Sequence, residues 1–222
     1  MVAIFVILTI LLCVGIELLR DRAASRKAIP SAARVPADRF LIPKGYFISK
    51  AHTWVELMFS GQARVGIDDF AQKIIGPIER IEAAPLGAEL KKGETLLTVR
   101  HGSRRLSIPA PISGKVLTVN ESLLASPDTV RRDPYIAGWI VTMAPKNISA
   151  ELPLLSIAED AARWLRKEIS RFRDFIKAQS HLGIPNPQGA TLLDGGMPLS
   201  GVLGQFNENT WHAFQKEFLN AE

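Results

Sequence analysis

The residues best placed to do chemistry stand together at Arg100-His101-Gly102-Ser103-Arg104-Arg105, between two β-type runs. Guanidinium groups offer paired donors to a carboxylate or a phosphate, so the stretch reads as a docking point for an acidic partner surface or a phosphate. The plainer reading is a solvated turn whose charges keep an edge hairpin from pairing with other chains. A metal site is not expected: His52, His181 and His212 lie far from His101 in sequence, and Cys13 is the only cysteine. Asp68-Asp69 are paired carboxylates of the kind used in acid–base work, but helix capping explains them more simply. His52, beside Trp54, reads as a satisfied packing residue. Asp194-Gly195-Gly196 is a turn signal. No Gly-rich phosphate loop follows a strand, and no Ser/His/Asp spacing suggests a nucleophile. The residues therefore predict neither a catalytic site nor an enzyme.

The elements that must position this tip are legible in the surrounding pattern. Residues 52–59, 62–67, 77–83, 95–99, 105–108 and 114–120 are short β-type runs separated by Gly and Pro, which implies a small barrel or sandwich. Gly66–Gly76 interrupts them with a helix capped by Asp68 or Asp69 and stopped by Gly76. The turns around Gly93 and Gly114 flank the hairpin as two related halves, and both glycines are expected to supply backbone freedom. After Pro145 the chain turns helical. Ser156 and Glu159 suggest a capping box. Leu165, Ile169, Phe172 and Ile176 form one apolar stripe that packs on the barrel or, with the basic residues around it, lies on lipid. Residues 183–205 are too rich in Gly and Pro for a regular element. A last helix over 208–219 puts Trp211, Phe214 and Phe218 on one side, either to bind a partner's groove or to clasp the same domain.

The N-terminus is a separate matter. Residues 1–16 carry no charge, and with Glu17 and two leucines they form a segment of 19 residues. At 1.5 Å per residue such a helix spans up to roughly 28 Å, enough to cross the hydrocarbon layer. A cleavable signal would want a basic start, which is missing. The formal net charge of +5 has its source in residues 20–44, where seven Lys/Arg face only Asp21 and Asp38. That is a basic linker beside a membrane, not a nucleic-acid surface, and it keeps the body in the cytoplasm. The expected division is a transmembrane helix over 1–19, a linker over 20–44, a β domain over 45–147 and a helical extension over 148–222.

Several pieces of the β region resemble the glycine cleavage system H protein family, of the lipoyl/biotinyl barrel-sandwich kind. They are His52-Thr53-Trp54-Val55, Val65 to Gln72, Leu90 to Glu94, Pro111-Ile112-Ser113-Gly114, Val119-Asn120-Glu121, and Asp133-Pro134-Tyr135 with Gly138-Trp139, in order over residues 45–147. The resemblance implies a mainly β fold with helices, a flattened barrel-sandwich hybrid. It also implies lipoic acid on a lysine at the hairpin tip, but that lysine's place falls on Ser103 and no lysine occurs within 93–114. The expectation is thus a membrane-tethered, non-lipoylated interaction or accessory module with no cofactor. It would dock on an unidentified protein through Arg100, His101, Arg104 and Arg105, through Trp211, Phe214 and Phe218, or through both. The alternative is a lipoyl carrier of a glycine cleavage-type system. A periplasmic pump adaptor also joins an anchor to a lipoyl-like barrel, but it would need a long insert where only the tip separates residues 94 and 109.

Overall fold

Alternating residues and frequent turns give the chain its sheets, seen in a computed structural model that describes residues 40–180 and 200–220. Ten strands follow in order: β1 Tyr46–Ile48, β2 Thr53–Leu57, β3 Ala63–Ile67, β4 Arg80–Ala83, β5 Glu89–Leu90, β6 Thr95–His101, β7 Arg104–Pro109, β8 Gly114–Val119, β9 Trp139–Pro145 and β10 Ser156–Ile157. They make an antiparallel seven-stranded sheet, β10-β1-β2-β3-β9-β8-β5, and a three-stranded sheet, β4-β6-β7. Val55, Val65, Ile67, Leu97, Val99, Leu106, Ile108, Val141 and Met143 fill the shared core with almost no exposed surface. The barrel-sandwich expectation agrees with this mainly β architecture. The segment 1–19, with the membrane span expected of it, lies outside the described residues. Among the described residues no helix is long and apolar enough to cross a membrane.

The first helix, α1 (Asp69–Ile75), forms where Asp68 can accept from the Ala71 N–H at 2.8 Å, and it ends at Gly76 in a left-handed conformation, φ 83°. Short helices α2 (Glu121–Ala125), α3 (Thr129–Arg132) and α4 (Ile148–Glu151) connect later strands. The long helix α5 (Ala158–Ser180) buries Leu165, Ile169, Phe172 and Ile176, so the apolar stripe packs on the domain. The expected capping box is corrected: Ser156 sits in β10, opposite Ile48, and the helix starts two residues later. Strand β10, beyond the expected boundary at 147/148, pairs with β1 in the same sheet. Gly93 does have the positive φ that its turn needs, 87°. Gly114 is there for closeness instead, since a Cβ would lie 2.4 Å from the Ala144 carbonyl oxygen across the β8–β9 pair.

Of the Gly/Pro-rich region, residues 202–205 form a short 3-10 turn. Helix α6 (Glu208–Phe214), capped by the Asn207 side chain on the Thr210 N–H at 3.0 Å, runs into a π turn over Gln215–Leu219. This tail packs on α5 through an aromatic cluster. Phe172 lies 5.6 Å from Phe218, Phe175 5.4 Å from Phe218, and Phe214 5.1 Å from Phe218, ring centre to ring centre.

Candidate functional site

The pleat of the hairpin decides what its tip can offer. Successive side chains of a strand point to opposite faces. In the β6–β7 pair, Val99 faces Leu106 on the core side, Arg100 faces Arg105 on the outer side, and His101 faces Arg104 on the core side again. Gly102 and Ser103 make the exposed turn. The four basic residues that the sequence presents as one cluster are therefore two pairs, on two faces.

The inner pair is fastened to the chain's own C-terminal segment. His101 stacks on Trp211 at 5.6 Å and donates from Nδ1 to the Pro77 carbonyl at 2.6 Å. Arg104 lies over the same indole at 5.1 Å and donates to the Gly204 carbonyl at 3.1 Å. Trp211 donates in turn to the Leu203 carbonyl at 2.8 Å. Beside them, the Gln215 amide accepts from the Ser107 N–H at 2.7 Å and donates to the Ser107 carbonyl at 2.6 Å. That is the pairing a neighbouring strand would make, so the edge of β7 is partly closed. Trp211, Phe214 and Phe218, expected to dock on a partner, are buried against the chain's own domain. Their relative exposures are 2%, 0% and 0%, which leaves them no outer surface to present.

The outer pair is free of that clasp. Arg100 is 2.9 Å from Glu82, and Arg105 is exposed. Lys91 and Lys92 lie on the turn before Gly93, and Lys115 lies in β8, all at the opposite end of the hairpin. A strand of seven residues puts them roughly 20 Å away. Lys92 lines an open cavity of about 640 Å³ with Lys50, Ala51, Pro109 and Leu155. Lipoate is held by an amide to a flexible primary amine. Residues 93–114 contain no lysine.

A second cluster went unseen in the sequence. His52, fully buried and at a left-handed φ of 60°, places Nδ1 2.8 Å from Asp68 and Nε2 3.4 Å from Glu168 of α5. The Nε2 contact lacks hydrogen-bond alignment and acts as an ion pair. Glu168 also pairs with Arg171. Burial by itself lowers the His52 pKa, but the two carboxylates outweigh it and raise the pKa to about 9. The ring stacks on Phe70 at 4.5 Å. A group with no exposed surface meets no substrate, so this is a charged fastener joining α5 to the β domain. Asp68 serves it while capping α1, and Asp69 accepts from the Leu41 N–H and from Lys73, each at 2.8 Å. Neither carboxylate is free for acid–base chemistry. Among the described residues no group of His, Cys, Asp and Glu could hold a metal ion.

The family model described as Glycine cleavage H-protein matches residues 46–168, over half of the chain. The chain belongs to the glycine cleavage H-protein family. The H-protein region runs past Pro145 and takes in β10 and the first half of α5, in line with the sheet topology. A probable glycine cleavage system H protein of Pyrococcus abyssi is 37% identical over 132 residues, covering 60% of this chain and 98% of the relative. The glycine cleavage system H protein of Coprothermobacter proteolyticus is 37% identical over 116 residues, covering 52% and 91%. The crystal structure of a glycine cleavage system H protein from Mycobacterium marinum superposes with a TM-score of 0.50 at 26% identity, covering 55% of this chain and 98% of that one. The H-protein region thus accounts for nearly the whole of each relative, and the tail that clasps the hairpin lies beyond it.

Proposed function

We propose that this member of the H-protein family works by contact rather than by carriage: a membrane-tethered, non-lipoylated, non-enzymatic module that docks on a partner protein. The observation that carries the reading is the lysine-free hairpin, residues 93–114, with Ser103 at the turn. A serine hydroxyl offers a short stem and a labile ester where an amide on a long arm is needed. The clasped inner half of the tip supports the same reading, since a swinging arm gains nothing from a hairpin tied to its own C-terminus. The tether rests on the charge-free run at 1–16 and the basic stretch after it, which also favour a body on the cytoplasmic side.

Family membership itself favours a second reading, a lipoyl carrier of a glycine cleavage-type system. That reading requires attachment at a lysine away from the tip, Lys91, Lys92 and Lys115 being the nearest. The test is lipoylation of the purified full chain by a lipoate–protein ligase, followed by peptide mass spectrometry. The wild type is expected to take up no lipoyl group. The variant R100E/S103K, which restores an acid and an amine to the tip, is expected to take one up at position 103. Incorporation into the wild type at any lysine would establish the carrier.

A further inference from the structure

The register of the three-stranded sheet lines up a third arginine with the outer pair. Arg80 of β4 faces Arg100 of β6, and Arg100 faces Arg105 of β7, so three guanidinium groups stand abreast on one sheet face. Strands are about 4.8 Å apart, and the row therefore spans roughly 10 Å. Like charges directly opposite one another destabilise a sheet. Among the described residues Glu82 offsets them, 2.9 Å from Arg100 and 3.4 Å from Arg80. Arg105 has no ion-pair partner among the described residues. The adjoining outward row, Glu82, Thr98 and Ser107, adds two hydroxyls.

We propose that the row Arg80–Arg100–Arg105 is the recognition surface for an acidic helical segment of a partner protein. This rests on the docking reading above and names its site and partner chemistry. The three arginines stand side by side across a sheet face rather than around a cavity, and the Gln215 contact with Ser107 takes up hydrogen bonds that an added strand would use. What remains is a straight line of paired donors. Carboxylates three or four residues apart on a helix are about 5–6 Å apart, close to the spacing of the row. Bidentate arginine–carboxylate pairs then form in sequence across the sheet.

The probe is a fluorescein-labelled, alanine-based helical peptide with Glu at i, i+4 and i+8, set against a peptide of the same composition with its Glu residues on different faces. Binding to the full chain in mild detergent is read by fluorescence anisotropy. The in-line peptide is expected to bind at least tenfold more tightly than the scrambled one. R80Q/R100Q/R105Q is expected to lose that tenfold, while R163Q/R166Q/K167Q on the exposed side of α5 keeps it. Because the row carries repulsion, the first variant should melt at the same temperature as the wild type or higher. Equal binding of the two peptides, equal loss in both variants, or displacement by inorganic phosphate at the peptide's own concentration would overturn the proposal. If the chain also takes up no lipoyl group, such a failure removes this surface and leaves the docking reading in place.

Discussion

Truncating Phe218 to alanine is expected to cost about 3–5 kcal/mol of stability, the usual range for a large buried aromatic. Its ring has no exposed surface and packs against Phe172, Phe175 and Phe214. The Arg171 guanidinium covers it at 4.3 Å and donates to the neighbouring Glu217 carbonyl at 3.0 Å. The melting temperature should fall by roughly 6–20 °C in a chain of this size. Phe214→Ala should behave alike, whereas Ile136→Ala, at a site 75% exposed, should change little. Thermal melts followed by circular dichroism check this. An unchanged melt together with a lost partner would return the tail to the role of a docking helix.

Changing His52 to asparagine, which tolerates the left-handed backbone, is expected to cost about 3–5 kcal/mol, because it leaves the Asp68 and Glu168 carboxylates buried without their shared cation. The pH dependence gives a sharper signature. The folded pKa of about 9 lies above the ordinary value of 6.5, so the folded state binds the proton more tightly. The stabilisation is complete below pH 6.5 and is lost as the pH rises towards 9. Over that window the wild type should lose up to ~3 kcal/mol. Urea midpoints at pH 6, 7.5 and 9 should fall steadily for the wild type. They should stay level for His52→Asn, and for Glu168→Gln the decline should be smaller and end at lower pH. A level wild-type profile would mean that folding does not raise the proton affinity of the ring.

How far the sequence spoke depended on the range of each interaction. Local signals were legible: the runs that became β2, β3, β6, β7 and β8, and the Asp68 cap with its Gly76 stop. Strand β9 was harder to see, since Ile140, Val141, Thr142 and Met143 are all buried between β3 and β8 and show no alternation. Strands β1, β5 and β10 have only two or three residues and no period to detect. The capping-box pattern at Ser156 was a local signal overridden when β1 recruited that residue. Of the candidate site, the lysine-free tip was plain in the sequence, but its division into an inner and an outer pair follows from the pleat. The alignment of Arg80 with Arg100 needed the β4–β6 register, and the His52–Glu168 contact needed α5 to fold back. Neither is encoded in nearby residues.

The claim that this H-protein relative carries nothing on its hairpin is tested most directly by the intact mass of the full chain from the cells that make it, with lysine-by-lysine peptide mapping. The expected result is the mass of the bare polypeptide and an unmodified peptide spanning residues 93–114. A lipoyl group amide-linked at Lys91, Lys92, Lys115 or any other lysine would contradict it.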